Sequence, residues 1–126
     1  MIPSTSTRPL RISLLAGAAY DLALGMFIVL AGPRVYEWLG HPLGEAQFHF
    51  ALAALPLFLL PVLYHGAARA GDTEPFRIPV LWARAGGGGL VLLGVLLYHP
   101  PLAWIYVAVG LGDWAWALLH LGLWRR

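Results

Sequence analysis

The chain has 126 residues, of which 60% are hydrophobic and only 11% charged, against about 25% charged in an average soluble domain. So few charges cannot cover a water-soluble surface, and the absence of cysteine removes disulfides, thiolate zinc clusters and thiol nucleophiles. The formal charge of +2 comes from eight arginines and no lysine, scattered at the ends of apolar runs and not gathered into a nucleic-acid-binding patch.

The first apolar run, Ile12 to Ala31, follows Arg8 and Arg11 and stops at Gly32-Pro33, where proline cannot continue a helix. It is long enough to cross a bilayer. A cleavable signal peptide ending at Val29-Leu30-Ala31 is the competing reading; Asp21 in the apolar centre and the length of the run argue against it. Residues 33–40, with Val35, Tyr36, Trp38 and Leu39 beside Arg34 and Glu37, form a short amphipathic segment suited to lying in the headgroup layer.

The second run, Gln47 to Ala68, contains Pro56 and Pro61 and predicts a kinked helix. Arg69 to Arg77 is polar and rich in turn residues, and reads as a loop in water. A third run, Ile78 to Tyr98, carries Arg84 and the tetrad Gly86, Gly87, Gly88 and Gly89. His99-Pro100-Pro101 turns the chain into the fourth run, Leu102 to Leu123. The expected architecture is therefore all-α: a single polytopic domain, an antiparallel bundle of four transmembrane helices with a short interfacial helix after the first.

Alternating crossings put Arg8, Arg11, Arg69, Arg77, Arg125 and Arg126 on one side, and only Arg34 on the other, so the positive-inside rule places both termini in the cytoplasm. Arginine in place of lysine, with abundant Ala, Gly, Leu and Pro, points to a high-GC bacterial genome and hence to the bacterial cytoplasmic (inner) membrane. Tyr36, Trp38, Tyr64, Tyr98, Trp104 and Trp124 fall near run ends and read as interfacial anchors.

Ionisable residues within spans are costly and usually face inward with partners. Three stand out. Asp21 lies near the centre of the first run, on an i, i+4, i+8 stripe with Gly17 and Gly25. Asp113 lies near the centre of the fourth, sharing a face with Gly110, Trp116, Ala117 and His120. Arg84, about two turns into the third, shares a face with Gly87, Gly88 and Val91. The expectation is that Arg84 sits between Asp21 and Asp113, either as a structural staple or as a ligand, ion or proton site.

His120 extends the Asp113 face; it is read first as a hydrated interfacial histidine and alternatively as a proton acceptor in the network. Tyr20 is a further hydrogen-bond donor in the core. Glu45 and His49, spaced i, i+4, are too few for a metal site, and His41 is separated from them by Pro42 and Gly44. The glycine tetrad lacks the lysine ending of a phosphate loop. Close helix packing is its first reading, local unwinding that exposes carbonyls its second. Neither a metal, a cofactor nor a catalytic residue is specified.

Tyr20-Asp21-Leu22 with Gly25 in the first helix, Trp82 and Arg84 in the third, and Gly112-Asp113 in the fourth resemble the small bacterial four-helix membrane proteins of the DoxX-like group. The resemblance covers the hydropathy layout of the whole chain. It implies an accessory part of a redox system, or a protein of no assigned activity, and carries over no catalytic residue. Three functions follow. The first is a non-enzymatic accessory or interaction subunit, partnered by the lipid bilayer and by itself or another membrane protein. The second is a small transporter or proton-linked carrier using the Asp21, Arg84 and Asp113 network. The third is a membrane enzyme acting on a lipid or quinone, which lacks a supporting motif.

Overall fold

Long apolar runs, with proline at the first positions of α2 and α4, give five helices in the computed structural model, which describes residues 8–44 and 46–125. They are α1 (Arg8–Leu30), α2 (Gly32–Trp38), α3 (Ala46–Arg69), α4 (Glu74–Tyr98) and α5 (Ala103–Trp124). The protein is an all-α bundle, and no strand occurs among the described residues. Helices α1, α3, α4 and α5 are each long and apolar enough to cross a membrane.

The helix bounds depart from expectation at α1, which is helical from Arg8 and not only from Ile12, and at α4, which starts at Glu74 and not at Ile78. Its beginning is built from three local devices. Thr73 occupies the N-cap, Pro75 fills an early position where its missing N–H costs nothing, and Asp72 Oδ1 accepts the Glu74 N–H at 2.9 Å. Glu74 then pairs with Arg77 at 2.7 Å one turn on. Segment 74–77 is therefore helix, and only residues 70–73 remain as the connection. Helix α3 runs through Pro56 and Pro61 without interruption.

Two compact units emerge from the packing, residues 1–14 with 67–126, and residues 15–66. In the first, α4 and α5 form an antiparallel hairpin whose turn places His99 and Leu102 in the left-handed region, at φ 45° and 60°. Leu10, Leu14, Ala67, Val80, Thr73, Arg84 and His120 are fully or almost fully buried, so the densest packing of this unit gathers where α1 begins, α3 ends and the 70–73 connection passes. Arg11 Nη2 donates to Ala70 O at 3.1 Å, and Trp124 Nε1 donates to Thr73 Oγ1 at 3.3 Å, tying α1 and α5 to that connection.

In the second unit the rest of α1 meets α3 at Gly25, where an added Cβ would lie 3.2 Å from Leu57 Cβ and 3.3 Å from the Phe58 ring. The short helix α2 falls on the expected amphipathic segment 33–40. It is seated by Gly32 against the Phe50 ring and by Tyr36, which packs edge-on to Phe50 and stacks on His41. Trp38 projects outward, 84% exposed.

Burial is inverted relative to a soluble protein. Leu90, Val62 and Trp82 are each 72% exposed, while Asp21 and Arg84, the charges in the middle of α1 and α4, are 0% and 1% exposed. Exposed charges lie at helix ends: Arg8, Arg34, Glu37, Arg69, Asp72, Glu74 and Arg125. An apolar exterior around buried charge is the arrangement that a hydrocarbon solvent selects.

Candidate polar site on the α4–α5 hairpin

Depth brings Arg84 and Asp113 together. Arg84 lies ten residues after Glu74 and Asp113 ten residues after Ala103, so each is about 15 Å from the start of its own helix at 1.5 Å per residue. Because the helices run antiparallel, both positions fall near the middle of the hairpin. The longer α4 thus sets Arg84 deeper than the two turns expected from sequence. There Arg84 Nη1 donates to Asp113 Oδ1 at 2.7 Å, with the side chains 1% and 14% exposed.

The crossing that permits this pair is made of glycine. A Cβ on Gly88 would fall 2.7 Å from Gly110 O, 2.8 Å from Trp114 Cδ1 and 3.1 Å from Asp113 Cβ; one on Gly110 would fall 2.8 Å from Leu92 Cγ. The backbones can approach only because neither position has a side chain. Of the other tetrad members, Gly87 would bring its Cβ to 3.9 Å from Asp113 Oδ2, Gly86 would meet only Trp82 of its own helix, and Gly89 faces open space. Helix α4 stays regular through Gly86 to Gly89, so the tetrad packs without unwinding. Trp114 Nε1 donates to Ala85 O at 3.0 Å and pins the same crossing from its outer side.

From Asp113 a polar and aromatic row continues along one face of α5. The Trp116 ring lies 5.8 Å from the Arg84 guanidinium carbon, at cation–π distance. His120 is packed between Trp116 at 5.6 Å and Trp124 at 6.1 Å, and its imidazole lies against the Ser13 backbone. Ser13 Oγ is buried and has no hydrogen-bond partner among the described residues. His120 is 0% exposed, so its imidazole is enclosed by protein groups: the α5 face that carries Asp113 stays inward for two more turns. Tyr64 and Trp124 are likewise buried, at 0% and 7%, and do not serve as lipid-facing anchors, whereas Tyr98 and Trp104 face outward.

Asp21 belongs to the second unit, where it is fully buried on the α1 stripe with Gly17 and Gly25; Tyr20 beside it is half-buried. His41 is engaged with Tyr36, and His49 is exposed beside Phe48. Glu45 and Arg126 lie outside the described residues. Thr73 and Ser13 are polar participants that the hydropathy reading passed over. Thr73 had a signal, the Thr-Glu-Pro sequence of a helix start.

No protein-family model, curated protein or solved structure matches this chain. The reading of its function therefore rests on the geometry of the polar site and of the surface around it.

Two shallow grooves open on the hairpin's surface, one lined by Val91, Gly94, Val95, Tyr98, Pro100 and Tyr106, the other by Gly112, Ala115, Trp116 and Leu119. Both are predominantly apolar. Neither includes Arg84 or Asp113 in its lining.

Proposed function

We propose that this chain is a four-span protein of the bacterial cytoplasmic membrane, with both termini cytoplasmic, that serves as a non-enzymatic accessory or interaction subunit. The observation that carries this reading is the closed Arg84–Asp113 pair, held at 2.7 Å over the Gly88–Gly110 crossing. The pair fixes the register of α4 against α5, a role in which buried ion pairs serve specificity more than stability. The apolar outer faces and apolar grooves are suited to lipid and to a membrane partner. The DoxX-like resemblance agrees with an accessory role.

The test is purification in native-like lipid. An accessory subunit is expected to be recovered as an oligomer or with a stable copurifying membrane protein; a lone monomer without a partner would sink the proposal.

A proton-linked carrier is the second reading, and the row Asp113, Trp116, His120, Trp124, Thr73 favours it by extending polar groups from mid-helix toward the arginine-rich end. In that case Asp113→Asn abolishes uptake or proton flux in proteoliposomes while leaving folded protein. Flux that survives the change would remove this alternative.

A further inference from the structure

We propose that the arginine-rich end of the first unit is a binding surface for the anionic headgroups of membrane lipids. Five described arginines converge there through observed contacts. Arg11 holds Ala70 O, which brings the start of α1, with Arg8, to the end of α3, with Arg69. Trp124 holds Thr73 three residues further on, which brings Arg125 to the start of α4, with Arg77. The connection 70–73 is thus the hub of a cationic ring, and it sits on the best-buried side chains of the unit, Leu10, Leu14, Ala67 and Val80. A ring anchored in this way is pre-organised, so little ordering has to accompany binding.

The acids in the ring offset it only in part: Asp72, which accepts the Glu74 backbone N–H, and Glu74, which pairs with Arg77, stand against five arginines. Arg8, Arg69 and Arg125 are exposed and make no ion pair or hydrogen bond among the described residues.

The apolar surface next to the ring selects lipid over a soluble anion. Arg8 continues down α1 into Ile12 and Leu15, 56% and 45% exposed; Arg77 is followed on α4 by Ile78 and Trp82, 66% and 72% exposed. Arg8 therefore stands one turn from Ile12, and Ile78 and Trp82, one turn apart, form an outward apolar stripe beside Arg77. A phosphate at the guanidinium level and acyl chains along the stripe match this arrangement. Arginine's planar fork suits phosphate oxygens, and a cluster of this size next to spans is the pattern of anionic-lipid attraction.

The inference rests on the four-span reading. Recovery of the chain in an alkali-washed membrane fraction tests that reading alone: a chain that washes off fails as a spanning protein whatever it binds. The inference itself is tested on delipidated full-length protein in neutral detergent, with bound short-chain phosphatidylglycerol and phosphatidylcholine counted by native mass spectrometry.

Wild type is expected to prefer phosphatidylglycerol. The triple variant Arg8→Gln, Arg69→Gln, Arg125→Gln is expected to lose that preference by on the order of a hundredfold, with its helicity intact. Replacing the same three by Lys retains most of it, and Arg34→Gln, in the other unit, leaves it unchanged.

Equal binding of the two lipids by wild type, or an unaltered preference in the triple Gln variant, overturns the proposal. So does displacement of phosphatidylglycerol by equimolar inorganic phosphate, which would mark a soluble-anion site. If the triple variant fails to fold, salt supplies the measurement on wild type. The preference must collapse between about 0.05 and 1 M salt, as screened surface charges do, and a salt-insensitive preference overturns the proposal equally.

Discussion

Arg84 and Asp113 meet at 2.7 Å where the backbones of α4 and α5 come closest, so charge pairing and glycine packing define a single point of register in the hairpin. A guanidinium 1% exposed cannot be left without its carboxylate cheaply.

Arg84→Gln and Asp113→Asn should each destabilise the protein, by values near the lower end of the roughly 3–5 kcal/mol associated with breaking a buried pair, since Asp113 retains 14% exposure. The double variant should be less destabilised than the sum of the two. Reversible unfolding in mixed micelles or nanodiscs measures all three. Strict additivity would mean that the two side chains do not stabilise each other.

The four glycines of α4 should separate sharply. Gly88→Ala forces a Cβ to within 2.7 Å of Gly110 O, a backbone atom that cannot rotate away, so α4 and α5 must part. The expected loss is about 1–3 kcal/mol, the usual cost of overpacking. Gly89→Ala meets nothing within 4 Å and should be neutral or stabilising by about 0.5–1 kcal/mol, the advantage of alanine over glycine in a helix. Equal effects at the two positions, seen in the same unfolding assay, would contradict the crossing described.

Hydropathy was sufficient to locate the four long helices, because each is a predominantly apolar run of spanning length, and to find α2 from its amphipathic spacing. The Arg84–Asp113 half of the expected Asp21–Arg84–Asp113 bridge was also legible, since opposite charges at matching depth in consecutive antiparallel helices have few other places to go. What a linear pattern does not carry is rotation about the helix axis. Tyr64, His120 and Trp124 lie near run ends, where aromatic and histidine side chains usually meet the interface, yet each is on the buried face. Nor does composition say which glycine of four makes the contact; only the facing Gly110 and Trp114 decide for Gly88.

Thr73 holds an N-cap position without making a side-chain cap, so its hydroxyl is available as the acceptor for Trp124 Nε1. Thr73→Val and Trp124→Phe should therefore each cost about 0.5–1.5 kcal/mol, the net worth of one hydrogen bond. Combined, they should cost little more than either alone. If Thr73→Val is silent while Trp124→Phe is damaging, the indole contributes by packing and not through its N–H.

The absence of cysteine makes membrane sidedness directly readable, because any introduced thiol is the only one present. Pro42 and Gly71 are exposed and flank α3 on either side. That helix has 24 residues, about 36 Å at the helical rise and enough to cross the hydrocarbon core once. On the proposed orientation, with Arg8, Arg11, Arg69, Arg77 and Arg125 cytoplasmic, Pro42→Cys should react with an impermeant maleimide in intact spheroplasts, and Gly71→Cys should react only after lysis. The reverse pattern would invert the orientation and leave the four spans standing. Reaction of both thiols in intact cells would instead place the two ends of α3 on the same side, and a span at α3 would be untenable.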